Sequence, residues 1–377
     1  MELTQEILNL IDSRQEAHLA LLLELAQIPA PSNHEEKRAQ FCKNWLEQNG
    51  AEGVWVDDAL NVIYPIGVTD RNPLMVFAAH SDVVFPDLEP LPLKVEDGKI
   101  HCPGIGDDSA NVAALMMAAK YIAENHLVPK DCGVLLVINS GEEGLGNLKG
   151  VRKIFADYGK RIREFISFDG HDCCGVSRAV GSRRYCIGVD TEGGHSFSAF
   201  GNRNAIAYLA DIIHDLYTIK VPALGKTTYN VGTITGGTSV NTIAQHAEML
   251  YEFRSDERRA LDIMQGHLDW IINSYRDKGL DVRVTRVGDR PCGGEVDEKK
   301  MKEMMERANA ASLRHCGRET VFGSGSTDCN IPLSEGIPAI CVGCYDGAGS
   351  HTREEYVTLE SLNPGVKLAF QLILHHF

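Results

Sequence analysis

The run Val134-Leu135-Leu136-Val137-Ile138 is apolar and rich in β-branched residues. It is too short for a core helix and predicts a fully buried strand. Directly after it come Ser140-Gly141-Glu142-Glu143-Gly144, so a deep strand delivers two adjacent carboxylates at its carboxyl end. Successive side chains of an extended chain point to opposite sides, and the two carboxylates therefore cannot share one role. One can face a cation while its neighbour faces whatever that cation activates. An isolated Glu-Glu pair is more often a solvated acidic turn, so the surrounding chain has to decide between the two.

A second buried strand is predicted at Leu74-Met75-Val76-Phe77-Ala78-Ala79, leading into His80-Ser81-Asp82. Before it, leucines at helical spacing (Leu21, Leu22, Leu25) predict a helix from Thr4 to about Ile28, closed by Pro29-Ala30-Pro31. A further helix from about His34 to Gln48 stops at Asn49-Gly50, a helix C-terminal signal. Short strands are expected at 53–57 and 61–66. After a loop at Pro103-Gly104-Ile105-Gly106, an Ala/Met-rich helix runs from Asn111 to about Asn125. Beyond the Glu-Glu strand come a helix at 148–158 and a strand at 164–168 that ends at Asp169. Alternating strands and helices imply an α/β layer with a largely parallel central sheet flanked by helices.

The texture changes near Tyr185. Strands at 185–191, 228–234, 247–253 and 281–287, with helices at 204–216 and 257–278, describe an inserted α+β domain: a four-stranded sheet with two helices. Beyond Cys292-Gly293-Gly294 the α/β texture returns, with a helix at 296–315, a strand at 339–342 and a closing helix at 359–375. The domains are thus 1–184 with 293–377, and 185–292. A chain of 377 residues can hold both.

Charge and thiols narrow the class. The net charge of −15 opposes nucleic acid or an anionic membrane as partner. No apolar run reaches the ~20 residues of a membrane span, and the first residues lack the basic and apolar regions of a secretory signal. Eleven scattered cysteines predict reduced thiols and a cytoplasmic location. Cys341-x-x-Cys344 has zinc or redox spacing, but a single such pair reads as buried strand-end thiols, and Cys173-Cys174 as structural.

Ligands of open α/β sheets bind beyond the carboxyl ends of strands. Here those ends present His80 and Asp82, Glu142 and Glu143, and Asp169. His80 and Asp82 share a strand face, and an aspartate beside a metal-bound imidazole can orient it. Asp107-Asp108 follows a glycine loop and precedes a helix. A dinucleotide fingerprint is the rival reading there, but the third glycine is missing and two aspartates would repel a pyrophosphate. Gly349-Ser350-His351-Thr352 adds a late imidazole.

These residues in this order closely resemble the di-zinc metallopeptidase family of carboxypeptidase G, tripeptidase T, carnosinase, aminoacylase and succinyl-diaminopimelate desuccinylase. The resemblance runs nearly end to end. It includes Asp169-Gly170, Gly194-His195-Ser196, Asn204-Ala205-Ile206, Asn241 and Arg254. It implies that the discontinuous domain is catalytic and that the insert is a lid and dimerisation domain. It implies two divalent cations per subunit, zinc first, with manganese or cobalt as alternatives. Asp107 would bridge the two, through an Asp107–Asp108 cis peptide. His80 and Asp169 would complete one shell, and Glu143 and His351 the other, with Asp82 supporting His80. Glu142 would be the general base for a water activated between the metals. His195 would stabilise the oxyanion, often across a dimer interface; the rival reading is a structural turn histidine.

Asn241 and Arg254 would hold substrate, though an ion pair with Asp256 or another acid explains Arg254 as well. Ser326 and Thr327 would line the substrate site, though helix capping explains them equally. One departure is visible: many relatives carry a lysine where this chain has Ser109. Aspartate at position 169 resembles the small-peptide peptidases, and glutamate there the deacylases. The expected activity is therefore metal-dependent hydrolysis of a small peptide by a homodimer. N-acyl-amino-acid hydrolysis is the alternative, and a non-catalytic metal-stabilised binding protein the remote one.

Overall fold

The computed structural model describes residues 2–377. The chain forms two compact units, one of residues up to Ala179 together with Gly294–Phe377, the other of Val180–Gly293. In chain order the principal strands are β1 (Trp55–Val56), β2 (Val62–Ile66), β3 (Leu74–His80), β4 (Gly133–Asn139), β5 (Ile162–Phe168) and β6 (Cys174–Ala179). They continue with β7 (Gly181–Asp190), β8 (Thr227–Gly236), β9 (His246–Ser255), β10 (Asp281–Arg290), β11 (Val321–Gly325) and β12 (Ala339–Val342).

The first unit is built on an eight-stranded sheet of order β1-β2-β4-β3-β5-β12-β6-β11. Its centre is parallel: β3 pairs in parallel with both β4 and β5, and β5 with β12. β2 joins β4, and β12 joins β6, in antiparallel fashion. Every residue of β4 is buried, which accounts for its unbroken apolar run, since a central parallel strand is covered on both faces. The core includes Phe77 and Phe168 stacked at 6.2 Å between centroids. The helix Asn111–Glu124 is buried around most of its circumference and packs against the helices Gln15–Ala26 and Leu359–Leu374, so its small Ala side chains permit close approach. A small sheet of order Gly347–Ala348, Tyr356–Thr358, Lys99–His101, Lys94–Glu96 completes the unit. It has a functional consequence: pairing Tyr356 with His101 holds residues 349–355 beside the loop that follows Cys102.

The mostly parallel sheet and the inserted antiparallel sheet are those expected. The single N-terminal helix is corrected: Gln5–Ser13 and Gln15–Ala26 are separate, and Arg14 between them leaves helical geometry at φ −106° and ψ 12°. Its guanidinium reaches Glu124 at 2.7 Å, so each segment turns its own apolar face inward, Ile11 in the first and Leu21, Leu22 and Leu25 in the second. β6, β11 and the small sheet were absent from the sequence reading. Cys174–Ala179 and Val321–Gly325 have no clear alternation; their parallel pairing with one another makes them strands.

The second unit is a four-stranded antiparallel sheet of order β8-β9-β7-β10. Its core joins Tyr185, Ile187 and Val189 of β7 and Ala247, Met249, Tyr251 and Phe253 of β9 to apolar residues of the helices Ala205–Tyr217 and Arg258–Arg276. Asn204 caps the first helix, its Oδ1 accepting from the Ile206 amide at 3.0 Å. No helix among the described residues is long and apolar enough to cross a membrane. The cysteines are all free thiols.

Candidate active site

The three central parallel strands end together. β3 ends at His80, β4 leads through Asn139 and Ser140 to Glu142 and Glu143, and β5 is followed by Asp169. His80 is in register with Asn139, and the Ser81 amide donates to the Asn139 carbonyl at 2.7 Å. These contacts bring the sequence-predicted residues His80, Asp82, Asp107, Glu142, Glu143, Asp169 and His351 into one cluster.

Asp107 lies at its middle. Its Oδ1 is 3.1 Å from His80 Nε2, and its Oδ2 is 3.2 Å from His351 Nε2. One carboxylate thus turns one oxygen to each imidazole. His80 Nε2 is also 3.9 Å from Asp169 Oδ1, and His351 Nε2 is 2.9 Å from Glu143 Oε1. The Asp107–Asp108 peptide is cis. Asp108 points inward, its carboxylate accepting from the His80 amide at 2.9 Å and from Asn111 Nδ2 at 2.6 Å.

Asp82 does more than support His80. Its backbone carbonyl is 3.0 Å from His80 Nδ1, closer than its carboxylate at 3.5 Å. The carboxylate accepts from the amides of Glu142 and Glu143, both at 2.9 Å, and from Ser32 Oγ at 2.7 Å. One buried acid therefore ties β3 to the Glu-Glu turn.

The electrostatics of the cluster suit bound cations. Burial raises Asp169, and the Asp107 and Glu142 carboxylates add repulsion that His80 only partly offsets. Burial likewise lifts Glu143 to about 7, against the bond from His351. His351 is held up at about 10 by its bonds to Asp107 and Glu143. Burial pulls His80 down, but Asp108, Asp107 and Asp82 outweigh it and hold it well above its ordinary value. Burial disfavours ionised Asp107, yet His351 and His80 outweigh it and keep the group low. Protons on two imidazoles offset carboxylate charge in the metal-free chain, and cations would do so more completely. Three donor sets have their ligand atoms within 4.8 Å of one another: His80, Asp107, Asp108 and Asp169; His80, Glu142 and Glu143; Asp107, Glu143 and His351. Imidazole nitrogens with carboxylate oxygens suit zinc and related divalent ions.

The sequence model of the family described as Peptidase family M20/M25/M40 matches residues 76–375. The chain belongs to this family. By that membership it is a co-catalytic metallopeptidase or amidohydrolase. A Peptidase M20 domain-containing protein of Schizosaccharomyces pombe is 27% identical over 265 residues, 67% of this chain and 64% of that protein. The chain therefore spans just under two thirds of that relative's length. The Bacillus subtilis protein YqjE is 24% identical over 377 residues, covering 93% of this chain and 96% of its own. A tripeptidase structure from Staphylococcus aureus superposes with a TM-score of 0.74 at 22% identity, over 95% of this chain and 97% of that one. This last likeness is one of fold.

The site also rests on Ser32, Glu35 and Arg38 of the N-terminal segment. Glu35, fully buried, accepts from the amides of Asn33 at 2.9 Å and Gly141 at 3.0 Å, and from Lys149 Nζ at 2.8 Å. Ser32 Oγ is also 3.3 Å from the Glu143 carbonyl. Arg38, another buried charge, donates to the carbonyls of Ile28 and Ser81 at 2.7 and 2.9 Å. Its Nη1 lies 3.4 Å from Ser109 Oγ, so a buried cation stands beside Ser109. Asp328, buried and pushed up to about 8 by burial and Glu142, accepts from Asn139 Nδ2 at 2.7 Å. None of these residues has a local sequence signal beyond being polar.

The remaining predicted residues sit as follows. Thr327 Oγ1 accepts from the Cys329 amide at 3.2 Å, and the Thr327 amide donates to Asn330 Oδ1 at 2.9 Å, which is local turn capping. Ser326 lies in the same loop, after β11. In the second unit, Arg254 turns its Nε and Nη2 onto Glu252, at 2.9 and 3.1 Å, favouring the ion-pair reading with a neighbouring acid other than Asp256. Asn241 accepts at Oδ1 from Ser239 Oγ, and its carbonyl accepts from the Ser196 amide. His195 is exposed, and its Nδ1 accepts from the amides of Phe197 and Ser198 at 3.3 and 3.4 Å. That places the imidazole proton on Nε2, as a donor.

Proposed function

We propose that this chain hydrolyses an amide bond in a small peptide, as a dipeptidase, tripeptidase or other exopeptidase. The observation that carries the reading is the Asp107 carboxylate shared between His80 and His351, with Glu142 beside Glu143 at the end of a central strand. His80, Asp169 and one oxygen of Asp107 would hold one divalent cation. Glu143, His351 and the other oxygen would hold the second. Zinc fits this donor set, and manganese or cobalt are the alternatives. Bound cations supply Lewis acidity, which makes a water more acidic and polarises the scissile carbonyl.

The chain's own residues do the rest. Glu142, its amide fixed by Asp82, takes a proton from the attacking water and passes it to the leaving amine. Asp82 keeps the Glu142 and Glu143 amides in place, so that the two carboxylates stay on their separate tasks. The tetrahedral oxyanion requires a hydrogen-bond donor of its own. His195 supplies it from Nε2, reaching the site of a second subunit in a homodimer formed through the insert. Ser326 contacts substrate, with Thr327 holding their shared loop in shape; Asn241 is a further candidate contact, and Arg254 takes part only if substrate displaces Glu252.

Asp169, rather than glutamate, at the end of β5 favours a free-amine peptide over an N-acylated amino acid. The test is hydrolysis by zinc- or manganese-loaded protein of matched substrates that share a C-terminal residue. One set carries a free α-amine, the other an N-acetyl or N-succinyl cap. Faster turnover of the free-amine set supports the peptidase reading. Preference for the capped set makes the chain an N-acyl-amino-acid amidohydrolase with the same cation ligands. No turnover of either set with two cations bound favours a non-catalytic binding protein.

A further inference from the structure

Glu355 is a buried carboxylate, 1% exposed, four residues beyond His351. It touches no cation-ligating side chain. Its Oε2 accepts from the Gly104 amide at 2.6 Å, and its Oε1 from the amides of Gly106 and Asp107 at 3.0 and 2.8 Å. Burial pushes the Glu355 carboxyl up to about 7, and the three peptide N–H groups partly offset that cost and fix the geometry of the group. The loop is shaped for this contact. A Cβ on Gly106 would lie 2.6 Å from the buried Tyr345 ring, so the backbone approaches where no side chain fits. Glu355 also accepts at its carbonyl from the Cys102 amide at 3.2 Å.

The two sides of this clamp are anchored unequally. Downstream of Asp107, the chain has independent ties: Asp108 accepts from the His80 amide and from Asn111, which opens the helix Asn111–Glu124. His80 and Asp169 stand at the ends of central strands. His351 has no such tie to a central strand or helix. It lies in the loop between the short strands Gly347–Ala348 and Tyr356–Thr358, with φ +65°, where Thr352 bonds locally to the Gly349 carbonyl and Arg353 pairs with Asp87 at 2.6 Å and lies over the Phe85 ring. Glu355 is the side chain that fastens this loop to the backbone carrying Asp107.

We infer that Glu355 is a positioning residue for the second cation subsite. By holding the Asp107 amide and the His351 loop together it sets the approach of Asp107 Oδ2 to His351, whereas in the first subsite His80 and Asp169 are anchored by their own strands and Asp107 is held also through Asp108. The inference rests on the two-cation reading of the site. Removing an outer partner of a ligand set typically weakens cation binding 10- to 100-fold, and here the loss falls on one cation of the two.

The experiment is a zinc titration of metal-free protein by calorimetry, with metal per chain counted by elemental analysis. Wild type, Glu355→Gln, His351→Ala and the double variant are compared. Glutamine keeps the size of the side chain but turns an N–H donor towards an amide N–H. We expect Glu355→Gln to bind its first zinc as wild type does and its second roughly 10- to 100-fold more weakly. In the His351→Ala background it should leave the remaining zinc unchanged. A merely structural role would weaken that remaining zinc as well, and this outcome overturns the inference. So does a Glu355→Gln isotherm indistinguishable from wild type. Wild type binding fewer than two zinc ions overturns the two-cation centre itself, and this inference with it. If Glu355→Gln is unfolded by circular dichroism, Glu355→Asp, which keeps the charge but shortens the reach, is judged by the same criteria.

Discussion

Glu142 and Glu143 are neighbours for which different roles are proposed, and the difference is testable. Asp82 holds both amides, Glu143 faces His351, and Glu142 is the proposed base. Glu142→Gln should lower kcat by roughly 10²- to 10⁴-fold, the ordinary share of a general base, with two cations still counted per chain by elemental analysis. Loss of a cation in that variant would reassign Glu142 as a ligand. The titratable groups give a second prediction. The His351 proton is held to about 10, against about 6.5 for an unfolded histidine. Its contribution is therefore full below about pH 6.5 and is lost as the pH rises towards 10. Glu143, lifted to about 7 by burial, increasingly opposes folding as the pH rises from about 4.5 to 7. Both act in one direction, although solvent screens the more than half-exposed His351. Melting of chelator-treated protein should thus shift to lower temperature from pH 6 to pH 10, and the zinc-loaded protein should shift less, because cations replace these protons. An equal or steeper fall with zinc would contradict the assignment.

At the scale of elements, the site depends on how strands end. The turn after β4 is closed from beneath by Glu35, which takes the Gly141 amide while pairing with Lys149. Gly141 has φ +65°, and a Cβ there would lie 2.6 Å from the Lys149 side chain. Lysine can swing aside, so the backbone conformation should dominate, and Gly141→Ala should cost about 1–3 kcal/mol in urea unfolding. Its kcat should fall as the turn loosens; wild-type stability and turnover together would show that the turn tolerates the change. The sequence announced β3 and β4 because buried parallel strands are apolar, and β5 by its buried half, Phe165 to Phe168; a polar residue immediately after such a run is conspicuous. It was silent about Cys174–Ala179, Val321–Gly325 and the small sheet that presents His351. Those segments become strands only through partners distant in sequence, and their residues carry no period.

The whole molecule is two compact units with separate cores, and its cation ligands all belong to the first. A ligand that binds only the folded state stabilises it by about 2.7 kcal/mol at one hundred times its Kd, so zinc should raise the melting temperature of chelator-treated protein in proportion to log concentration once it exceeds Kd. The proposed dimer is tested by mixing subunits. His195→Ala and Glu142→Ala proteins, each inactive alone, should regain part of the activity together if His195 acts on a second subunit. No recovery under demonstrated subunit exchange would return His195 to a structural role. By itself the sequence determined the α/β layer and the antiparallel insert, because buried strands must be apolar, and through the family resemblance it named the candidate ligands. Tertiary structure decided which groups meet: Asp107 shared by His80 and His351, Asp82 bonded to two successive amides, and Glu35, Arg38 and Glu355 spent on backbone. Most of those partners lie 27 to 251 residues apart, and a hydrogen bond between distant residues leaves no period or spacing in the chain that forms it.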